Sequence, residues 1–329
     1  MKSPSASNSS SSKRTPTSPS SSSSSSTNIP TNKKKHEKIK IETTSQGPLN
    51  FIYMCLMVVF KRFVFAPAHV KIGVYMGALL ICSVLKDFNI VGKNNFFAYK
   101  HNFLNQYVVK LGWLWSLVVL LPFIGMTSAV YTGFNFKYIC QHLSRLAIAT
   151  FFWFSLTTLF DKIDTNTGKC AHNVIRTKKE CKTNNHEWLG FDISGHTFLL
   201  MYALLIMLEE VKVFYSWESF QRRLNEKLIN DSNEKIDSLS PISENAIERA
   251  AYWYKLLTPL IKLNFFIMAV LALLYEVMLL STFLYFHTIM HKLLAAFTAV
   301  IIWFLTYKTW YPNRNILLNP GMPGVNGMV

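Results

Sequence analysis

Residues 190–210 read GFDISGHTFLLMYALLIMLEE, and the change of character inside them decides the fold. A polar stretch carrying Asp192, Ser194 and His196 gives way to a run from Phe198 to Leu208 with no charge, closed by Glu209 and Glu210. Such a run reads as a helix within a bilayer. Ser194 can cap its start, and Gly195 lets a ligand approach the backbone. The unpaired N–H groups of the first turn, at the positive end of the helix dipole, suit an anion such as phosphate. His196 exchanges protons near neutral pH, which makes this helix start a candidate catalytic position.

The same pattern recurs outward in both directions. Apolar segments at about 70–88, 106–126, 142–160, 195–213, 257–285 and 291–310 each approach the ~20 residues that cross a bilayer. The expected fold class is therefore all-α, a polytopic membrane helical bundle of about six transmembrane helices. Tyr107, Trp113, Tyr285, Trp310 and Tyr311 lie at segment edges, as interfacial anchors do. Residues 50–66 end in Lys61-Arg62 and read as an interfacial helix. Residues 1–48 are serine-rich and basic, a composition that cannot bury a core, so a disordered tail is expected there. The transmembrane domain then spans 49–312, with a short C-terminal tail at 313–329.

The 329 residues carry a net charge of +16 and are 50% hydrophobic, with 25 Phe, 14 Tyr and 8 Trp. Most of the positive charge falls in the tail and between apolar segments, where positive-inside topology accounts for it without a nucleic-acid partner. The polar first 48 residues have no signal-peptide pattern, so insertion is expected to use the internal segments. Lys and Arg placement favours an even number of spans with both termini cytosolic. The loop at 161–190 runs against that bias, with Lys162, Lys169, Arg176, Lys178, Lys179 and Lys182 on the side read as lumenal. Asn230-Asp231-Ser232 is a glycosylation sequon on the side read as cytosolic, and a glycan there would reverse the topology. Cys55, Cys82 and Cys140 belong to apolar segments, whereas Cys170 and Cys181 share the polar loop, either bridged or as free thiols.

This topology brings a second histidine to the first. The fifth span ends in Leu284-Tyr285-Phe286-His287 on the side where His196 starts the fourth. Two imidazoles on one face suit phosphoryl transfer, one attacking phosphorus and the other protonating the leaving oxygen. Serine-hydrolase chemistry fits less well, because no third group is evident beside Ser194 and His196. His287 and His291 form an H-x3-H pair, but a metal site needs further ligands, and none is expected. Glu209 and Glu210 lie where carboxylates reach water at the far end of their span. Glu276 is eleven residues before His287, too far along a helix for direct catalysis, and suits a packing or headgroup contact.

The sequence resembles the fat storage-inducing transmembrane family of endoplasmic reticulum proteins. The likeness rests on GFDISGHTFLL at 190–200 with Glu209-Glu210 following, YFH at 285–287, and N-x-L-N-x-Y-x-V-K at 102–110 leading into W-x-W at 113–115. LLPFI at 120–124 and WYP at 310–312 agree as well. It covers about residues 68–312. That family is in turn similar to lipid phosphate phosphatases, which implies a core of that type. By the resemblance, His196 is the leaving-group acid and His287 the nucleophile that becomes phosphohistidine. The implied activity is cleavage of fatty acyl-CoA, without a cofactor, to acyl-phosphopantetheine and adenosine 3′,5′-bisphosphate at the lumenal face, in support of lipid droplet formation. The alternative is a non-enzymatic protein that binds diacylglycerol or triacylglycerol among the membrane lipids. The lipid phosphate phosphatases also carry a K-x6-R-P motif, and this chain has no Arg-Pro. Substrate charge is therefore assigned to Ser194, Gly195 and Lys110, with Arg176, Lys178, Lys179 and Lys182 as a second set. One tension remains: His287 at a helix C-terminus is biased toward its protonated form, whereas a nucleophile must be neutral.

Overall fold

The computed structural model describes residues 48–90, 92, 96–99, 101–171, 177–234, 241–313, 315–316 and 319–324. The expected disorder of the tail, the placement of Arg176 and the end of the C-terminal tail lie outside these residues.

Helix α1 (Pro48–Val59) runs into a π-helical turn at Phe60–Val64. It buries Met57, Phe60, Val64 and Phe65 against the bundle and leaves Phe51, Ile52 and Val58 exposed. One apolar face inward and one outward is what an interfacial helix needs. Pro67, which cannot continue a helix from the preceding turn, separates this segment from α2 (Ala68–Asp87). A π-helical stretch, Leu104–Val109, leads into α3 (Gly112–Tyr131). Gly133 and Phe134 then adopt left-handed backbone angles, and Asn135 caps α4 (Phe136–Thr167) by accepting the Lys137 amide at 3.2 Å.

A polar excursion follows, with the short helix α5 (Lys178–Thr183) between two paired strands, β1 (Lys169–Cys170) and β2 (Trp188–Leu189). The chain returns through α6 (Gly195–Glu210), α7 (Lys212–Tyr215), α8 (Trp217–Glu234) and α9 (Pro241–Tyr285), and closes with α10 (Ile289–Phe304) and a π-helical turn at Leu305–Trp310. The sequon at Asn230 falls in α8.

Among the described residues, five helices are long and apolar enough to cross a membrane: α2, α3, α4, α9 from Ile247, and α10 with its π turn. The protein is a multi-pass, all-α membrane protein. The segment read at 195–213 stays helical for only 16 residues, about 24 Å. It packs against α3, α9 and α10, and every residue from Thr197 to Glu210 is buried. That explains its apolar character on all sides: it is the inner helix of the bundle. Helix α9 has 45 residues, about 68 Å, so it outruns a bilayer, and its first half packs on α8.

Candidate active site

The loop that delivers His196 is fastened to the end of α4. Lys178 bridges Asp161 at 2.5 Å and Asp164 at 2.7 Å. Burial works against the charge on Lys178, but the two carboxylates outweigh it and raise its pKa. Trp188 Nε1 donates to the Asp164 carbonyl at 3.1 Å, and the Phe191 amide donates to Thr167 Oγ1 at 3.0 Å. Cys170 and Cys181 form a disulfide, with Cα atoms 5.8 Å apart. Gly190 sits so close to this clamp that a Cβ would lie 2.1 Å from Asp164 Oδ1. The first glycine of the 190–196 stretch is therefore required by packing.

Ser194 is fully buried and caps α6, its Oγ accepting the Thr197 amide at 3.3 Å and lying 2.9 Å from Thr197 Oγ1. Its own amide donates to the His291 carbonyl at 3.3 Å, which ties the start of α6 to the start of α10. The hydroxyl is thus occupied by the cap. Gly195 is different: a Cβ there would meet nothing within 4 Å, so the first turn of α6 faces open space. His196 follows, half-buried.

His287 reaches the same end of the bundle from α9. It is the second residue beyond α9, after Phe286, whose amide donates to the Thr282 carbonyl at 3.2 Å, and its φ is +50°. Helices often end on such a left-handed residue, usually glycine, so histidine there carries backbone strain. Lys86 donates to the His287 carbonyl, and buried Lys292 donates to the Phe283 carbonyl at 2.7 Å. Two ammonium groups thereby occupy the negative end of the α9 dipole. The His287 Nδ1 lies 3.5 Å from Asp192 Oδ2, with the side chain 22% exposed.

His196 interacts electrostatically with His287, Lys110 and Asp192. Four groups from three separate stretches of the chain therefore share one site, with exposed Lys110 arriving on the turn after the π segment. Lys179 and Lys182 are exposed on α5 and Lys178 is committed to its aspartates. The His291 ring packs edge-on against Phe191 at 4.6 Å and stands 6.4 Å from the His287 ring. Among the described residues no group of three or more His, Cys, Asp or Glu could hold a metal ion.

Sequence reasoning missed Asp192, Lys86 and Lys292. Asp192 was the one with a signal, being the carboxylate nearest either histidine in the quoted stretch. The glutamates at the other end of α6 also differ from expectation. Instead of reaching water, Glu209 and Glu210 are buried, because each finds cationic partners. Arg145 grips Glu210 with two bonds, at 2.7 and 2.8 Å, and Tyr307 donates to it at 2.7 Å. Glu209 pairs with Lys212 and with Lys308 at 2.8 Å. Glu276 accepts from Lys71 and, at 2.9 Å, from Tyr75, an internal tie between α2 and α9.

Residues 93–307 match the family described as fat storage-inducing transmembrane protein. A Drosophila melanogaster protein named acyl-coenzyme A diphosphatase FITM2 is 34% identical over 280 residues, covering 84% of this chain and 64% of its own length. The Xenopus laevis protein of that name is 32% identical, covering 73% of this chain and 81% of its own. The Homo sapiens one is 27% identical, covering 75% and 84%. No solved structure matches the chain.

Proposed function

This chain belongs to the fat storage-inducing transmembrane protein family, and we propose on that premise that it is a fatty acyl-CoA diphosphatase of the endoplasmic reticulum membrane. The observation that carries the reading is that His196 lies within electrostatic reach of His287, Asp192 and Lys110, with His287 itself 3.5 Å from Asp192. In this proposal both chain termini are cytosolic and the histidines face the lumen.

Asp192 holds the Nδ1 side of His287, which directs Nε2 toward substrate. That nitrogen attacks one phosphorus of the diphosphate, forming a P–N bond as the bridging P–O bond breaks. His196 gives its proton to the departing phosphate oxygen. Neutral His196 then takes a proton from water, whose oxygen displaces His287 from phosphorus and restores both imidazoles. The products are acyl-phosphopantetheine and adenosine 3′,5′-bisphosphate. Lys110 and the open first turn of α6 at Gly195 meet the phosphate charge in place of the missing Arg-Pro element. Ser194 acts by fixing that turn. Release of adenosine bisphosphate from oleoyl-CoA by the purified protein tests the reading. Turnover is expected to vanish in His196→Ala and in His287→Ala, and undiminished turnover in both variants would overturn it.

A second reading, lipid binding without catalysis, draws on one observation. A cavity of about 810 Å³ between α1, α8 and α9 is walled by Met57, Phe214, Trp217 and Tyr254. It is compatible with diacylglycerol or triacylglycerol, and it predicts lipid retention that is indifferent to both histidine substitutions.

A further inference from the structure

At the end of the bundle away from the histidines, a cavity of about 570 Å³ opens between the Phe60–Val64 turn, the start of α2, α7 and the end of α10. Leu208 on its wall lies twelve residues beyond His196, about 18 Å along α6. Four basic side chains line the cavity: Lys61, Arg62, Lys212 and Lys308. They come from three separate parts of the chain. The carboxylate of buried Glu209 stands behind them and pairs with Lys212 and Lys308. The excess is positive.

That pairing also orients the site. Each ammonium has three donors, and the side chains of Lys212 and Lys308 remain 45% and 34% exposed while bound to Glu209. Both keep donors for a ligand and lose little freedom in meeting one. Lys61 and Arg62 stand on one π-helical turn and Lys308 on another, a geometry that is rare and recurs at functional sites. The floor is apolar, made by Phe65, Leu208 and Trp303, and the adjoining α1 presents exposed Phe51, Ile52 and Val58.

We infer that this cavity binds the phosphate headgroup of an anionic membrane phospholipid. The cations contact the phosphate, and the apolar floor continues into the region of the acyl chains. A free phosphate would use the cations but would leave the floor unoccupied.

The full chain, equilibrated with phosphatidylcholine vesicles doped with phosphatidylserine, tests the site by native mass spectrometry of lipid retained after detergent extraction. Wild type is expected to retain phosphatidylserine over phosphatidylcholine. The double variant Lys61→Gln/Arg62→Gln is expected to retain about tenfold less, the loss of roughly one charged hydrogen bond. Its melting temperature shows whether it is folded, and Lys308→Gln provides a second route to the same loss. Lys178→Gln, at the opposite end, is expected to retain as wild type does. Equal retention by wild type and both cavity variants overturns the site. Displacement of the lipid by inorganic phosphate, with the same rise in melting temperature, overturns the lipid assignment.

Discussion

The two ends of α6 carry similar chemistry under opposite conditions. At its C-terminal end Arg145, Glu210 and Tyr307 are buried and satisfy one another, with two charged bonds and a phenol on one carboxylate. At its N-terminal end His196 and His287 are half-buried, Asp192 is 62% exposed at the side chain, and the His287 Nδ1 stands 3.5 Å from Asp192 Oδ2. A charge that is fully partnered holds helices together and has nothing left to offer a substrate. A charge that is held in place and still open to solvent can meet a substrate. The ends therefore differ less in residue type than in how far each is open to solvent.

Substitutions can break this contrast. The largest effect is expected at the histidine end: His287→Ala or His196→Ala should lower acyl-CoA turnover by at least ~10³-fold, while thermal melting stays near wild type. A large loss of stability in both would mean that the histidines are structural, as Arg145 is. Next comes Arg145→Ala, which leaves Glu210 buried and uncompensated and should cost about 3–5 kcal/mol of stability, read by denaturation in detergent. Asp192→Asn should lower kcat on the order of 10²-fold with little change in KM or melting, because it removes the group orienting Nδ1 and not a substrate contact. A change in KM alone would assign Asp192 to substrate binding instead. The smallest effect belongs to Lys178→Gln, about 0.5–1 kcal/mol. Since the aspartates raise the Lys178 pKa, its contribution is complete below the ordinary lysine range. It is lost only as pH rises through the higher folded value, which a melting series across alkaline pH would detect.

Much of this was legible in the chain itself. Apolar runs without charge announced a membrane bundle, and the loop-to-helix transition at 190–196 announced the cap at Ser194 and the position of His196. The meeting of His196 with His287 followed from counting spans. What could not be read were pairings whose partners are distant in sequence: Lys86 on the His287 carbonyl, Asp192 beside His287, Arg145 on Glu210. Each depends on helix rotation or on the path of the loop before α6, and hydropathy reports how apolar a segment is without reporting which way a side chain faces. Arg145 did leave a trace, as a lone cation inside the apolar run at 142–160, where an unpaired charge would be too costly to keep. The inner position of α6 was hidden for the same reason, since a helix surrounded by protein and one surrounded by lipid have similar compositions.

The left-handed backbone at His287 has a consequence for the protein's evolution. Glycine would relax that position by about 1–3 kcal/mol, so His287→Gly should melt at a higher temperature than wild type while losing turnover. A library sorted for heat resistance alone would drift toward glycine there and discard the nucleophile. Persistence of histidine at residue 287 would then require selection acting on the reaction, against the preference of the fold.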